Sequence, residues 1–170
     1  MEYKVVFSKR KTIAITILEG VPVVKAPIGT NKKVIGEIIE KHANWIDRHV
    51  AIQNKKATIF NNLTESDIKR IRKEARIYFT ERTAFYAKIM CINYGRITIT
   101  SAKKRFGSCS SEGNISFSYR LMLYPEAARE YVIVHELAHR KEMNHSKAFY
   151  AIIENVLPDY KLRKRLLKEI

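Results

Sequence analysis

The stretch "VIVHELAHRKEMNH", residues 132–145, gathers three of the chain's five histidines and a glutamate. His135 and His139 stand four positions apart, so on an α-helix their side chains leave one face a turn apart and both reach a single ion. Glu136 falls on an adjoining face, close enough to hold a water at that ion without ligating it. The flanking Val132, Ile133, Val134, Leu137 and Ala138 predict a helix buried in the core, with the histidines lining a cleft. A catalytic zinc takes three protein ligands and keeps one position open. An unbroken helix would carry His145 about 600° past His139, to the far side, so the chain has to turn first. Asn144 tolerates a left-handed conformation at a helix end and Ser146 can cap the next helix, "KAFYAIIENVLPDY", which folds His145 back as the third ligand.

The chemistry of these parts is hydrolysis of a peptide bond. Zn2+ lowers the pKa of its bound water from about 15.7 toward 7 and polarises the scissile carbonyl. Glu136, as general base, takes the proton of that water and later hands it to the leaving amine. Tyr119, Arg120 and Tyr150 are candidates for stabilising the tetrahedral oxyanion, and the sequence does not rank them. Two plainer readings compete: a satisfied histidine pair on a half-buried helix, and a metal that stabilises the domain without catalysis. Structural zinc sites favour closed, cysteine-rich sets, and neither Cys91 nor Cys109 lies near this helix in sequence.

The remaining segments must position that helix. "TIAITI" alternates, a turn at Glu19 and Gly20 leads into "VPVVKAP", and Pro22 and Pro27 predict an edge or short return strand. From Asn31, the spacing of Val34, Ile38, Ile39, Trp45 and Ile46 predicts one helix to His49 or Val50, with Trp45 as a core anchor. His42 and His49 share a face two turns apart, too far to chelate one ion, and are expected at the surface. Residues 51–63 read as a linker. Thr64 with Asp67 forms a capping-box signature before a longer helix carrying Ile68, Ile71, Ala75, Tyr78, Phe79 and Phe85. Two strands, Arg96–Ala102 and Asn114–Leu121, flank a connection rich in glycine and serine, and Pro125 with Glu126 opens the helix that runs through Ala138. The chain reads as α+β, with an N-terminal β/α subdomain over 1–55 and a larger domain over 64–170.

A length of 170 residues suits one core, or a small subdomain packed on a larger one. Two cysteines outside any CxxC spacing do not indicate a disulfide scaffold. The opening "MEYKVVFSKRKT" lacks a long apolar core and no run of apolar residues is long enough for a span, so neither a signal peptide nor membrane contact is expected, and the cytoplasm is the default location. Net charge is +15, from 32 Lys and Arg against 17 Asp and Glu. The basic runs "SKRK" (8–11), "KRIRKEAR" (69–76) and "KLRKRLLK" (161–168) are solvated faces or a nucleic-acid surface. A basic nucleic-acid-binding protein with a secondary zinc site, or a protease acting on nucleoprotein, is therefore the alternative to a plain peptidase. The sequence does not set an oligomeric state.

"YVIVHELAHRKEMNHSKAFY" and "PDYKLRKRLL", preceded by "KKRFGSCSSEGNISFSYRLMLYP", resemble the YgjP-like zinc metallopeptidases, relatives of the SprT-like and Spartan proteases. "SKRKTIAITI", "VVKAP" and "HANWIDRH" extend the resemblance into the N-terminal half. It implies a zincin-like catalytic half, with the HExxH helix packed on a small antiparallel or mixed sheet. It also implies zinc at His135, His139 and His145, Glu136 as catalytic acid/base, and a peptide or protein substrate. "GSCS", Gly107 to Ser110, is implied to start or precede a strand bordering the cleft, with Cys109 expected as packing. Phe106 stands where the family usually has Trp, a change of local packing that retains an aromatic.

Overall fold

The alternating N-terminal segments pair into a three-stranded sheet in the computed structural model, which describes residues 2–168 as two compact units, 2–62 and 63–168. In the first unit β1 (Lys4–Ser8), β2 (Ala14–Leu18) and β3 (Val21–Pro27) lie in the order β1-β3-β2. The hairpin turn has positive φ at both Glu19 (52°) and Gly20 (79°), the two-residue geometry that matches strand twist. Gln53 fastens it: its Oε1 accepts from the Gly20 N–H at 3.1 Å and its Nε2 donates to the Ile17 carbonyl at 2.9 Å.

The first unit departs from its sequence pattern in three places. β3, expected to be an edge or a short strand, is the central strand and seven residues long. Pro22 faces Ile17 of β2 and precedes the first β1 partner, Val23, so its missing N–H withdraws nothing from that side, and Pro27 merely closes the strand. The single helix expected from Asn31 is two, α1 (Lys32–Lys41) and α2 (Ala43–Asn61), broken at His42 (φ −108°, ψ 14°). With no Gly or Pro in the way, α2 runs on through most of the stretch read as a linker. Of the two neighbours expected on the apolar face, Ile46 is fully buried with Ile17, Val24, Ala26, Ile35 and Ile39, whereas Trp45, expected in the core, is 42% exposed and stacks on His49.

In the second unit Thr64 caps α3 (Glu65–Met90) through a complete capping box with Asp67, and α3 ends on the left-handed Cys91. Strands β4 (Ile97–Thr100), β5 (Gly107–Cys109) and β6 (Ile115–Ser118) are ordered β4-β6-β5. The two strands legible in the sequence, β4 and β6, are parallel neighbours, and the connection between them supplies β5, antiparallel on the other edge of β6. Phe79 of α3 stacks on Phe117 of β6 at 4.6 Å. A 3-10 turn, Tyr119–Leu123, leads to α4 (Glu126–Ala138), followed by α5 (Lys147–Val156) and α6 (Tyr160–Leu166). The fold is α+β. Among the described residues no helix is long and apolar enough to cross a membrane.

Glu130 locks α4 to two other helices, accepting from Arg82 of α3 and from Arg163 of α6, the latter at 2.7 Å. Burial pushes its carboxyl up, but the hydrogen bonds from Arg82 and Arg163 outweigh that and hold it below the ordinary value. A depressed native pKa gives stability that is present above the unfolded pKa, about 4.3, and is lost as pH falls through the folded value. Glu130→Gln is therefore expected to cost about 2 kcal/mol at neutral pH, with the difference from wild type closing below about pH 4. Urea melts of both proteins across that range check it.

Candidate metal centre

Everything at this site depends on where α4 stops. His139 is its C-cap residue, and the N–H groups of Arg140, Lys141 and Glu142 bond back to the Leu137 and Ala138 carbonyls, tightening the last turn. Ser146 then starts α5, its hydroxyl accepting from the Phe149 N–H at 3.2 Å. The reversal uses no left-handed residue: among the described residues only Glu19 and Cys91 are non-glycine with positive φ. Asn144 instead donates its N–H to Glu142 Oε1 at 3.2 Å and accepts from the Ser146 N–H at 2.8 Å. Two cations brace the turn. Arg140 donates to the carbonyls of Asn93 (3.3 Å) and Ser111 (2.7 Å), and Lys141 Nζ donates to that of Met90 at 2.8 Å, the last residue of α3.

The turn brings together the three histidines singled out in the sequence. One ligand atom from each of His135, His139 and His145 lies within 4.8 Å of the others, and the Nε2 atoms of His135 and His145 are 3.1 Å apart. These separations bracket the roughly 3.3 Å expected between nitrogens sharing one tetrahedral ion at about 2.1 Å. His139 Nδ1 donates to the Glu142 carbonyl at 3.3 Å, which fixes the proton there and leaves Nε2 with a free lone pair. His135 Nδ1 sits 3.5 Å from the Tyr131 hydroxyl. Phe149 packs against all three rings, with centroids 4.6–4.9 Å away. Burial, then the charges of His139, His145 and Lys164, hold His135 down to about 3, and burial lowers His139 as well. Imidazoles that stay neutral keep the lone pairs a metal needs, so the donor set fits one.

Glu136 lies against strand β5. It is buried, at 6% exposure, and among the described residues it forms no ion pair. Burial raises its carboxyl to about 7, opposed by the charge of Arg105. A Cβ on Gly107 would stand 2.5 Å from Glu136 Oε1, so the carboxylate lies directly on bare backbone. Bonds between Ser118 N–H and Phe106, and between Ser110 N–H and Asn114, set the alternation along β5. The backbone groups of Gly107 and Cys109 accordingly face outward from the sheet, available to an extended chain.

The other candidates separate. Tyr150 has a ring contact with His145 at 6.4 Å, whereas Tyr119 is buried with the Arg120 guanidinium 5.6 Å from its ring. Cys109 is half-buried, and burial followed by the Glu136 charge pushes its thiol up, which keeps it protonated. His42 is exposed and His49 donates to the Trp45 carbonyl at 2.8 Å. Among the described residues no second set of three His, Cys, Asp or Glu donors converges. Tyr131, Phe149 and Arg140 were not foreseen; Tyr131, one turn before His135, carried a spacing signal, while Phe149 and Arg140 depend on tertiary folding.

A helix bearing HExxH against a small mixed sheet, with a third histidine returned by the next turn, has the parts of a metal-dependent hydrolase. Residues 61–170 match the family described as YgjP-like, metallopeptidase domain, so the chain belongs to the YgjP-like family and is a peptidase acting on peptide or protein through a metal ion. Two solved structures are similar to it. The metallopeptidase zymogen of Pyrococcus abyssi abylysin is 22% identical, with a TM-score of 0.48, and the match covers 52% of this chain and 90% of that one. The metallopeptidase zymogen of Methanocaldococcus jannaschii jannalysin is also 22% identical, with a TM-score of 0.46 over 54% of this chain and 97% of that one. No curated protein matches the chain.

Gly107→Ala tests the seat of Glu136. Displacing the carboxylate by a fraction of an ångström or more is expected to slow peptide hydrolysis about 100-fold while metal content stays at the wild-type level. Steady-state rates paired with metal analysis check both halves, and an unchanged rate would mean that the contact is dispensable.

Proposed function

We propose that the chain is a zinc-dependent peptidase built on residues 64–170, with the N-terminal residues 1–55 as an accessory subdomain. His135, His139 and His145 hold the ion and Glu136 is the general base. The observation that carries this reading is the convergence of three imidazoles, within 4.8 Å, beside a buried carboxylate that forms no ion pair among the described residues. A histidine-only set of three suits zinc and leaves coordination room for a reactant, and zinc bound there supplies Lewis acidity to a water and to the scissile carbonyl.

The chain's own groups do the rest. An extended peptide pairs with the outward backbone groups of Gly107 and Cys109, which aligns it beside Glu136. The carboxylate, raised to about 7 by burial, accepts a proton from the attacking water and releases it to the departing amine, both near neutrality. His139 is kept in one tautomer by the Glu142 carbonyl, and Phe149 keeps bulk water from the back of all three rings. Tyr150, beside His145, is the group best placed to donate to a developing oxyanion.

Glu136→Gln preserves shape and removes the base. Hydrolysis of an unfolded protein substrate is expected to fall at least about 1,000-fold with one zinc per chain retained. His145→Ala is expected to lose the zinc itself. Equal cleavage by wild type and Glu136→Gln would refute the assignment.

A further inference from the structure

Between α5 and α6 lies a groove of about 490 Å3 lined by Tyr150, Tyr160, Lys161, Lys164, Arg165 and Lys168. Tyr150 belongs both to this groove and to the histidine site: its ring is 6.4 Å from that of His145 on one side and stacks on Tyr160 at 5.9 Å on the other. The Lys164 ammonium donates to the Tyr150 hydroxyl at 3.4 Å and sits 5.1 Å from its ring centre, while that of Lys161 lies 5.6 Å from the Tyr160 ring. Aromatic faces orient these cations without neutralising them. Two acids beside α6 are engaged otherwise, since Glu130 and Asp159 both bind Arg163. Among the described residues none of the four cations lining the groove forms an ion pair, and all four are exposed, so the core does not require them.

Four like charges, three on α6 and Lys168 just past its end, repel one another, a cost that an anion seated among them would relieve. They occupy roughly 10 Å of helix axis, too short a track for a run of phosphates but suited to one or two carboxylates. The groove also begins one ring away from His145, where a chain held at the histidines would pass.

We propose that this groove is a specificity subsite that receives an aspartate or glutamate side chain flanking the scissile bond of the substrate. It rests on the peptidase reading of the histidine site and adds to it a preference for acidic sequences. Lys161, Lys164 and Arg165 supply the charge, and Tyr150 and Tyr160 form the wall against which the acidic residue's stem lies.

Binding tests it without turnover. Two labelled peptides, one carrying Asp and Glu and a twin with Asn and Gln at the same positions, are titrated by fluorescence anisotropy against the Glu136→Gln chain at physiological salt. The acidic peptide is expected to bind at least about tenfold more tightly. Adding Lys161→Gln, Lys164→Gln and Arg165→Gln should bring the twins to parity. Lys69→Gln, Lys73→Gln and Arg76→Gln, which remove the same charge from α3, should leave the preference in place. Equal binding of the twins, or a preference that survives the α6 changes, overturns the proposal. So does a single-stranded oligonucleotide that outcompetes the acidic peptide and loses its grip only in the α6 variant. Cleavage of both twins by wild type without any binding preference removes this subsite alone, whereas groove-dependent binding with cleavage of neither removes the peptidase reading alone.

Discussion

Three imidazoles cannot be pressed together around one point unless something else fixes their backbones, and here that constraint is the abrupt end of α4. Were the helix to continue past His139, His145 would project to its opposite side. The tightened last turn, the brace from Arg140 and Lys141 to loops that follow α3 and precede β6, and the Ser146 cap on α5 together hold the reversal. With the His139 proton committed to the Glu142 carbonyl and His135 kept neutral by burial, lone pairs face one another across 3.1–4.8 Å. Such an arrangement is unfavourable by itself and becomes favourable around a cation, so the proposed ion would contribute to stability as well as to chemistry.

The same helix separates two kinds of electrostatics on its flanks. Glu130 is buried with two arginines and stays ionised, which serves cohesion. Glu136, six residues on, is buried without an ion pair, among the described residues, and titrates near neutrality, which suits proton transfer. Two carboxylates on one helix are thus driven apart by their neighbours: where arginines converge the charge is fixed, and where the carboxylate is buried against glycine backbone the proton is exchangeable. That contrast arises in a chain with a net charge of +15, where an unpaired buried acid is easily neutralised by chance contact and its isolation depends on the bare backbone of Gly107.

The histidine spacing, the capping box at Thr64 and the start of α4 at Pro125 were legible because each rests on local geometry that neighbours in sequence decide. The place of β3 at the centre of its sheet was not, because proline's cost depends on which partner strand begins where, a tertiary fact. The break at His42 was equally hidden: no glycine or proline marks it, and of the two neighbours expected on the apolar face only Ile46, not Trp45, is in the core. β5, only three residues long from Gly107 to Cys109, carries too little alternation to read from its own pattern; it was anticipated only through the family resemblance of "GSCS", and it is the strand against which Glu136 lies. Sequence reasoning therefore named the three histidines that the fold brings together and the glutamate beside them, but not most of the contacts that position them.

The most direct test of the central claim is zinc K-edge X-ray absorption on the purified, zinc-loaded chain. The account predicts one zinc per chain, surrounded by three imidazole nitrogens and one oxygen at about 2.0–2.1 Å. A sulfur scatterer at about 2.3 Å, or fewer than three imidazoles around the ion, would contradict it.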